Sequence, residues 1–144
     1  MSNFFKHVMA CVDLGDLPTS SQVITAAMET VTEGDTLHVF TVVPDFGRSI
    51  VGSFFPDNFE EEAIEKARRA LHAFMDTQVP KGTRVQAVIG HGNIYEEIIA
   101  AAEKVSADLI VIGSHRPELK DYLLGPNAAR VVRHATTSVL VVRS

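Results

Sequence analysis

Residues 108–142 read DLIVIGSHRPELKDYLLGPNAARVVRHATTSVLVV. From Asp108 to Gly113 an apolar run closes on glycine. At Gly125-Pro126 a flexible residue precedes a proline whose φ is preset for a first helical turn, so the spacing predicts a helix from there to about His134. Ser138 to Val142 is again apolar. Strand, connection, helix and strand in this order form the crossover unit of a parallel sheet.

Toward the N-terminus the same alternation repeats. Arg84 to Gly90 alternates through Val85, Ala87 and Ile89 and leads into GHGN. Asn93 followed by Glu96 matches a helix start in which the Asn side chain satisfies a free backbone N–H, and Ile94 to Val105 supplies the helix. Glu60 to Thr77 is an amphipathic helix carrying Ile64, Ala67, Leu71 and Phe74 on one face and ending near Val79-Pro80. Thr36 to Val43 (TLHVFTVV) is rich in β-branched residues and reads as a strand buried on both faces. His7 to Asp13 is the first run, and the helix after it is placed from about Ser20 to Val31 by Val23, Ile24, Ala27 and Val31. Five apolar runs separated by four helical segments predict an α/β fold: one domain, 1–144, with an open five-stranded parallel sheet and helices on both faces.

Composition narrows the function classes. The 144 residues are 46% hydrophobic and 22% charged, which is globular rather than disordered, and the length suffices for a core without disulfide or metal. Cys11 is the single cysteine, so there is no disulfide framework and a thiolate zinc site is disfavoured; a reducing, cytoplasmic setting is expected. No apolar run has the length of a signal peptide core or a membrane span, so no membrane partner is expected. A formal net charge of −5 disfavours nucleic acid as a partner of the whole surface, and any polyanion must be attracted locally.

In an open parallel sheet, ligands bind beyond the carboxyl ends of the strands where strand order reverses. The positions to inspect are therefore Asp13, Val43 with Pro44, Gly90 to Asn93, and Gly113 to Arg116. His115, Arg116 and Lys120 lie between Gly113 and the helix starting near Pro126, whose first N–H groups add roughly half a positive charge, so this segment can cradle an anion. There is no G-x-x-x-x-G-K-[ST] phosphate loop, and Tyr95 stands where Gly90-His91-Gly92 would need the third glycine of G-x-G-x-x-G. Those glycines are read as turning the strand into its helix. The six histidines show no ligand spacing and are read as solvated or capping; Cys11 is read as a buried, inert thiol; no serine occupies a G-x-S-x-G elbow. Asp13 either caps the turn after the first strand or accepts from a ribose hydroxyl or helps hold a cation. The segment 44–58 lacks a period, yet Phe46, Phe54 and Phe55, with Phe59 just beyond, require it to pack on something: its own sheet, a site or another subunit.

The first run with its terminal Asp13, followed by the pattern from Asp108 to Val142, resembles the universal stress protein family along the whole chain. ATP-binding members carry G-x2-G-x9-G-[ST]. Gly113, Ser114 and His115 match its opening and Gly125 its late glycine, while Arg116 replaces the second glycine, eight residues separate it from Gly125, and Pro126 replaces Ser or Thr. The run SHRP…YLLGxNAAxVVRHA is similar to the small bacterial F and G types, which also bear Arg at that place. The resemblance implies a Rossmann-like sheet of order 3-2-1-4-5, of the adenine nucleotide alpha hydrolase-like kind.

It further implies an adenine nucleotide as cofactor, ATP or its AMP or ADP forms, with Mg as a candidate companion. In that reading Asp13 contacts ribose or nucleotide-bound Mg, Val42 and Val43 meet adenine, Gly113 and Arg116 line the phosphates, and Gly125, Pro126, Asn127 and Ala128 wrap them. Without a phosphate-loop lysine or a water-orienting base, hydrolysis is expected to be slow at most, and no catalytic residue is assigned. A nucleotide-free interaction module of the same fold is the alternative, favoured by Pro126 and the shortened spacing. The apolar last strand, Ser138 to Val142, would need covering as a sheet edge, and the family implies a homodimer through it, with a tetramer through the phenylalanine-rich loop left open.

Overall fold

The computed structural model describes residues 4–44, 59–114 and 125–143. Elements alternate as β1 (His7–Cys11), α1 (Leu17–Thr30), β2 (Thr36–Pro44), α2 (Phe59–Gln78), β3 (Arg84–Gly92), α3 (Ile94–Lys104), β4 (Leu109–Ser114), α4 (Gly125–His134) and β5 (Ser138–Arg143). All five strands pair in parallel in the order β3-β2-β1-β4-β5, as expected.

Alternation along β1 divides the core between the two sheet faces. Val8, Ala10 and Val12 meet Val23, Ile24 and Ala27 of α1 and Leu71 and Phe74 of α2. Met9 and Cys11 join Phe40, Ile110 and Ile112 under Ile98 and Ala101 of α3 and Val131 of α4. β1, central and covered on both sides, is therefore apolar at every position after His7. Its amino end is tied to β4: the Asp108 carboxylate accepts from the backbone N–H of Lys6 at 2.9 Å and of His7 at 3.0 Å, and Asp108 N–H donates to the His7 carbonyl at 2.9 Å.

Three local readings need correction. Helix α1 begins at Leu17 rather than Ser20, because Asp16 caps it by accepting from Thr19 N–H at 3.3 Å and Pro18 sits in its first turn. Strand β3 runs on to Gly92, since Val43 and Pro44 pair with His91 and Gly92, so Gly90 lies inside the strand and only Gly92, at φ 133°, turns the chain toward the Asn93 cap. A Cβ at Gly90 would lie 2.8 Å from Phe40 Cζ, so this glycine lets the Phe40 ring cross β3. Third, His38 is neither solvated nor a cap. It is 4% exposed, its Nε2 lies 3.3 Å from Nδ1 of His7, and the two rings stack. Asn93 caps α3 as read, its side chain accepting from Glu96 N–H at 3.3 Å.

Candidate functional site

Strand order reverses between β1 and β4, because β1 connects through α1 to β2 on one side while β4 lies on the other. The register brings the carboxyl ends together: Cys11 is level with Phe40 of β2 and with Ile112 of β4. Asp13, Val42, Val43, Gly113 and Ser114 therefore stand along one rim of adjacent strands. Helix α4, which follows β4, packs Ala128 and Val131 onto the same face as Met9 and Cys11. Arg116, His115 and Lys120 lie outside the described residues, as does the segment 45–58 with Phe46, Phe54 and Phe55. Gly125 and Pro126 fall at the start of α4, followed by Asn127 and Ala128 in its first turn.

Asp13 is buried and held at several points. Its Oδ1 accepts from Gly15 N–H at 2.8 Å, which is the turn-capping role. Its own N–H donates to Ser20 Oγ at 2.9 Å, and the Ser20 hydroxyl lies 2.7 Å from the Asp13 carbonyl. On the neighbouring strand, Thr41 Oγ1 donates to the Val12 carbonyl at 2.9 Å. Ser20 and Thr41 thus fix the backbone on either side of Asp13. Sequence periodicity could not reveal either contact, since each depends on which element lies alongside.

Gly113 has a structural reason to be glycine. A Cβ there would lie 2.7 Å from Thr19 Cγ2 and 3.3 Å from Val23 Cγ2, so it is α1 that comes close to β4 at this point. Beyond Gly113, an open cleft of about 510 Å³ is lined by Ser114, Ala128, Ala129, Val132, Arg133 and Val141, between the ends of β4 and β5 and the flank of α4 from Ala128 to Arg133. On the β3 side, Glu97 Oε1 accepts from His91 N–H at 3.1 Å and steadies the end of that strand. Cys11 lies in the floor of the sheet, and burial pushes its thiol pKa up, so the inert reading stands. Among the described residues no three His, Cys, Asp or Glu side chains group as a metal site. No helix of the described residues is long and apolar enough to cross a membrane.

An open parallel α/β sheet whose strand order reverses between β1 and β4, with a helix start following β4, defines a class of ligand-binding fold. The chain belongs to the universal stress protein family, whose sequence profile matches residues 4–143. It is 29% identical over 141 residues to universal stress protein G of Shigella flexneri, covering 96% of this chain and 99% of that one. To universal stress protein A homolog 1 of Coxiella burnetii it is 34% identical over 142 residues, covering 96% of each. Among solved structures, a universal stress protein family member from Burkholderia pseudomallei superposes with a TM-score of 0.74 at 22% identity over the full length of both. A universal stress protein in complex with cAMP superposes with a TM-score of 0.54 at 22% identity over 96% of both chains.

Proposed function

We propose that the protein is an adenine-nucleotide-binding stress-response protein that holds ATP, or AMP or ADP, as a regulatory ligand and turns it over slowly at most. The observation that carries this reading is the rim formed by Asp13, Val42, Val43, Gly113 and Ser114 at the reversal of strand order, with the amino end of α4 beyond it. The cAMP complex of a relative with the same fold supports an adenine nucleotide as the ligand class. In this reading the pinned Asp13 accepts from ribose, and backbone groups at Val42 and Val43 receive adenine. Gly113 and Arg116 line the phosphates, and Gly125, Pro126, Asn127 and Ala128 close around them. Pro126 brings no N–H, so the Asn127 side-chain amide takes over that contact. When Mg accompanies the nucleotide, its ligands come from phosphate and water with Asp13 nearby.

The protein acts in this reading as a cytoplasmic homodimer joined through β5. That strand is an edge of the sheet, with Leu140 39% exposed on the α1 face and Val132 of α4 52% exposed on the opposite face. These exposed apolar side chains, one on each face of the edge, together with Pro126 favour a nucleotide-free interaction module as the second reading.

Calorimetric titration with ATP separates the two. Saturable heat is expected, and Arg116→Ala should weaken ATP more than adenosine. Absence of heat and of competition at millimolar nucleotide would remove the nucleotide reading and leave the interaction module.

A further inference from the structure

On the opposite flank of α4 from the β5 edge, a separate cleft of about 470 Å³ lies between α4 and the amino end of α3, lined by Asn93, Tyr95, Glu96, Ala129, Arg130, Arg133 and His134. Its volume falls in the range of sites for small organic ligands. The charge is concentrated and organised. Arg130 sits over the Tyr95 ring at 5.6 Å, and the His134 ring lies against the same tyrosine with centroids 5.6 Å apart. Tyr95 therefore holds one guanidinium and one imidazole in place, lowering the entropy lost when they grip a ligand. Among the described residues neither Arg130 nor Arg133 is in a salt bridge.

A plain alternative is that Arg133 and His134 only complement the dipole at the end of α4. Arg130 is not in that last turn, and its placement over Tyr95 is not explained by the dipole. In a chain of net charge −5, two guanidinium groups and an imidazole facing one cleft make a local anion site. Glu96 decides what kind of anion. Glu96 lines the same cleft, and its negative charge would repel a bare inorganic anion, whereas a ligand that also carries hydroxyl groups can donate to its carboxylate. The Asn93 side-chain Oδ1 accepts from Glu96 N–H, and the NH2 group of the same amide offers a further donor to such a ligand.

We propose that this cleft is a second ligand site, for a sugar phosphate, with the phosphate held by Arg130 and Arg133 and a sugar hydroxyl donating to Glu96. The site is independent of the adenine-nucleotide reading. Arg133 also borders the cleft next to Ser114, so Arg130, which does not, is the discriminating position.

Backbone amide spectra of the full chain, titrated with glucose 6-phosphate in the presence of saturating adenosine, test the assignment. Saturable shifts are expected at Tyr95, Glu96, Arg130 and His134. Arg130→Ala, on the surface of α4, should raise the dissociation constant about tenfold, the loss of one charge-assisted hydrogen bond. Glu96→Gln should abolish the preference for glucose 6-phosphate over inorganic phosphate. No shifts at 10 mM, shifts centred on Asp13 and Val42, an unchanged constant in Arg130→Ala, or equal affinity of the native chain for inorganic phosphate would each overturn the proposal.

Discussion

Gly113→Ala tests whether the glycine that ends β4 is there for helix packing. The added methyl would stand 2.7 Å from Thr19 Cγ2, roughly 1 Å inside ordinary carbon contact, and 3.3 Å from Val23 Cγ2. Thr19 and Val23 are both buried in α1, so relief requires either a new Thr19 rotamer or withdrawal of the helix from the sheet. Overpacking of this kind costs about 1–3 kcal/mol. For a chain of this length that is roughly 4–12 °C in Tm. Thr19→Ser removes the offending methyl and keeps the hydroxyl; alone it should cost about 0.5–1.5 kcal/mol, as for other single buried methyl losses. Combined, the alanine methyl occupies the space vacated by the threonine methyl, so the double variant should be more stable than the two separate losses predict by at least about 1 kcal/mol. Urea unfolding of the four proteins measures this coupling. A neutral Gly113→Ala, or additivity within about 0.5 kcal/mol, would refute the packing account and return Gly113 to a purely ligand-facing role.

Two further outcomes follow from buried groups. Cys11, whose thiol is shifted upward by burial, should resist Ellman's reagent at about pH 8 in the folded protein and react fully in urea, so rapid labelling without denaturant would contradict its place under α3 and α4. His38 has its pKa lowered chiefly by burial, with the neighbouring His7 charge reinforcing the shift. A histidine depressed in the folded state favours folding while neutral. That contribution is present above the unfolded value of about 6.5 and is lost as pH falls through it toward the folded value. Unfolding free energy should therefore drop between about pH 7.5 and 5.5, and His38→Phe should flatten the drop; an equal drop in both proteins would rule His38 out as its source.

The order of elements was legible because buried parallel strands are continuous apolar runs while their helices keep a 3.6-residue period. Periodicity marks where a helix is packed rather than where it is capped. That is why Ser20 looked like the start of α1 while Asp16 and Pro18 set the true one. The strand-end position of Asp13 and its turn-capping geometry could be anticipated, because both depend on nearest neighbours in sequence. The hold of Ser20 on Asp13, the approach of Thr19 to Gly113 and the stacking of His38 on His7 could not, because each is decided by which strand or helix lies alongside. The same applies to the cleft between α3 and α4: Arg130 reads as an ordinary exposed helix residue until Tyr95 is seen beneath it.

The clamp of Asp108 on Lys6 and His7 also has a consequence for synthesis of the chain. β1 can pair with β2 as soon as residues 36–40 emerge, but its other edge has no partner until residues 109–112 are made. At ordinary translation speeds that gap lasts on the order of ten seconds. For that interval a strand apolar on both faces presents open backbone donors and acceptors to its surroundings, and the arrival of Asp108 is what ends the exposure. The nascent chain is thus most vulnerable to mispairing at β1, the strand that is buried deepest once folding is complete.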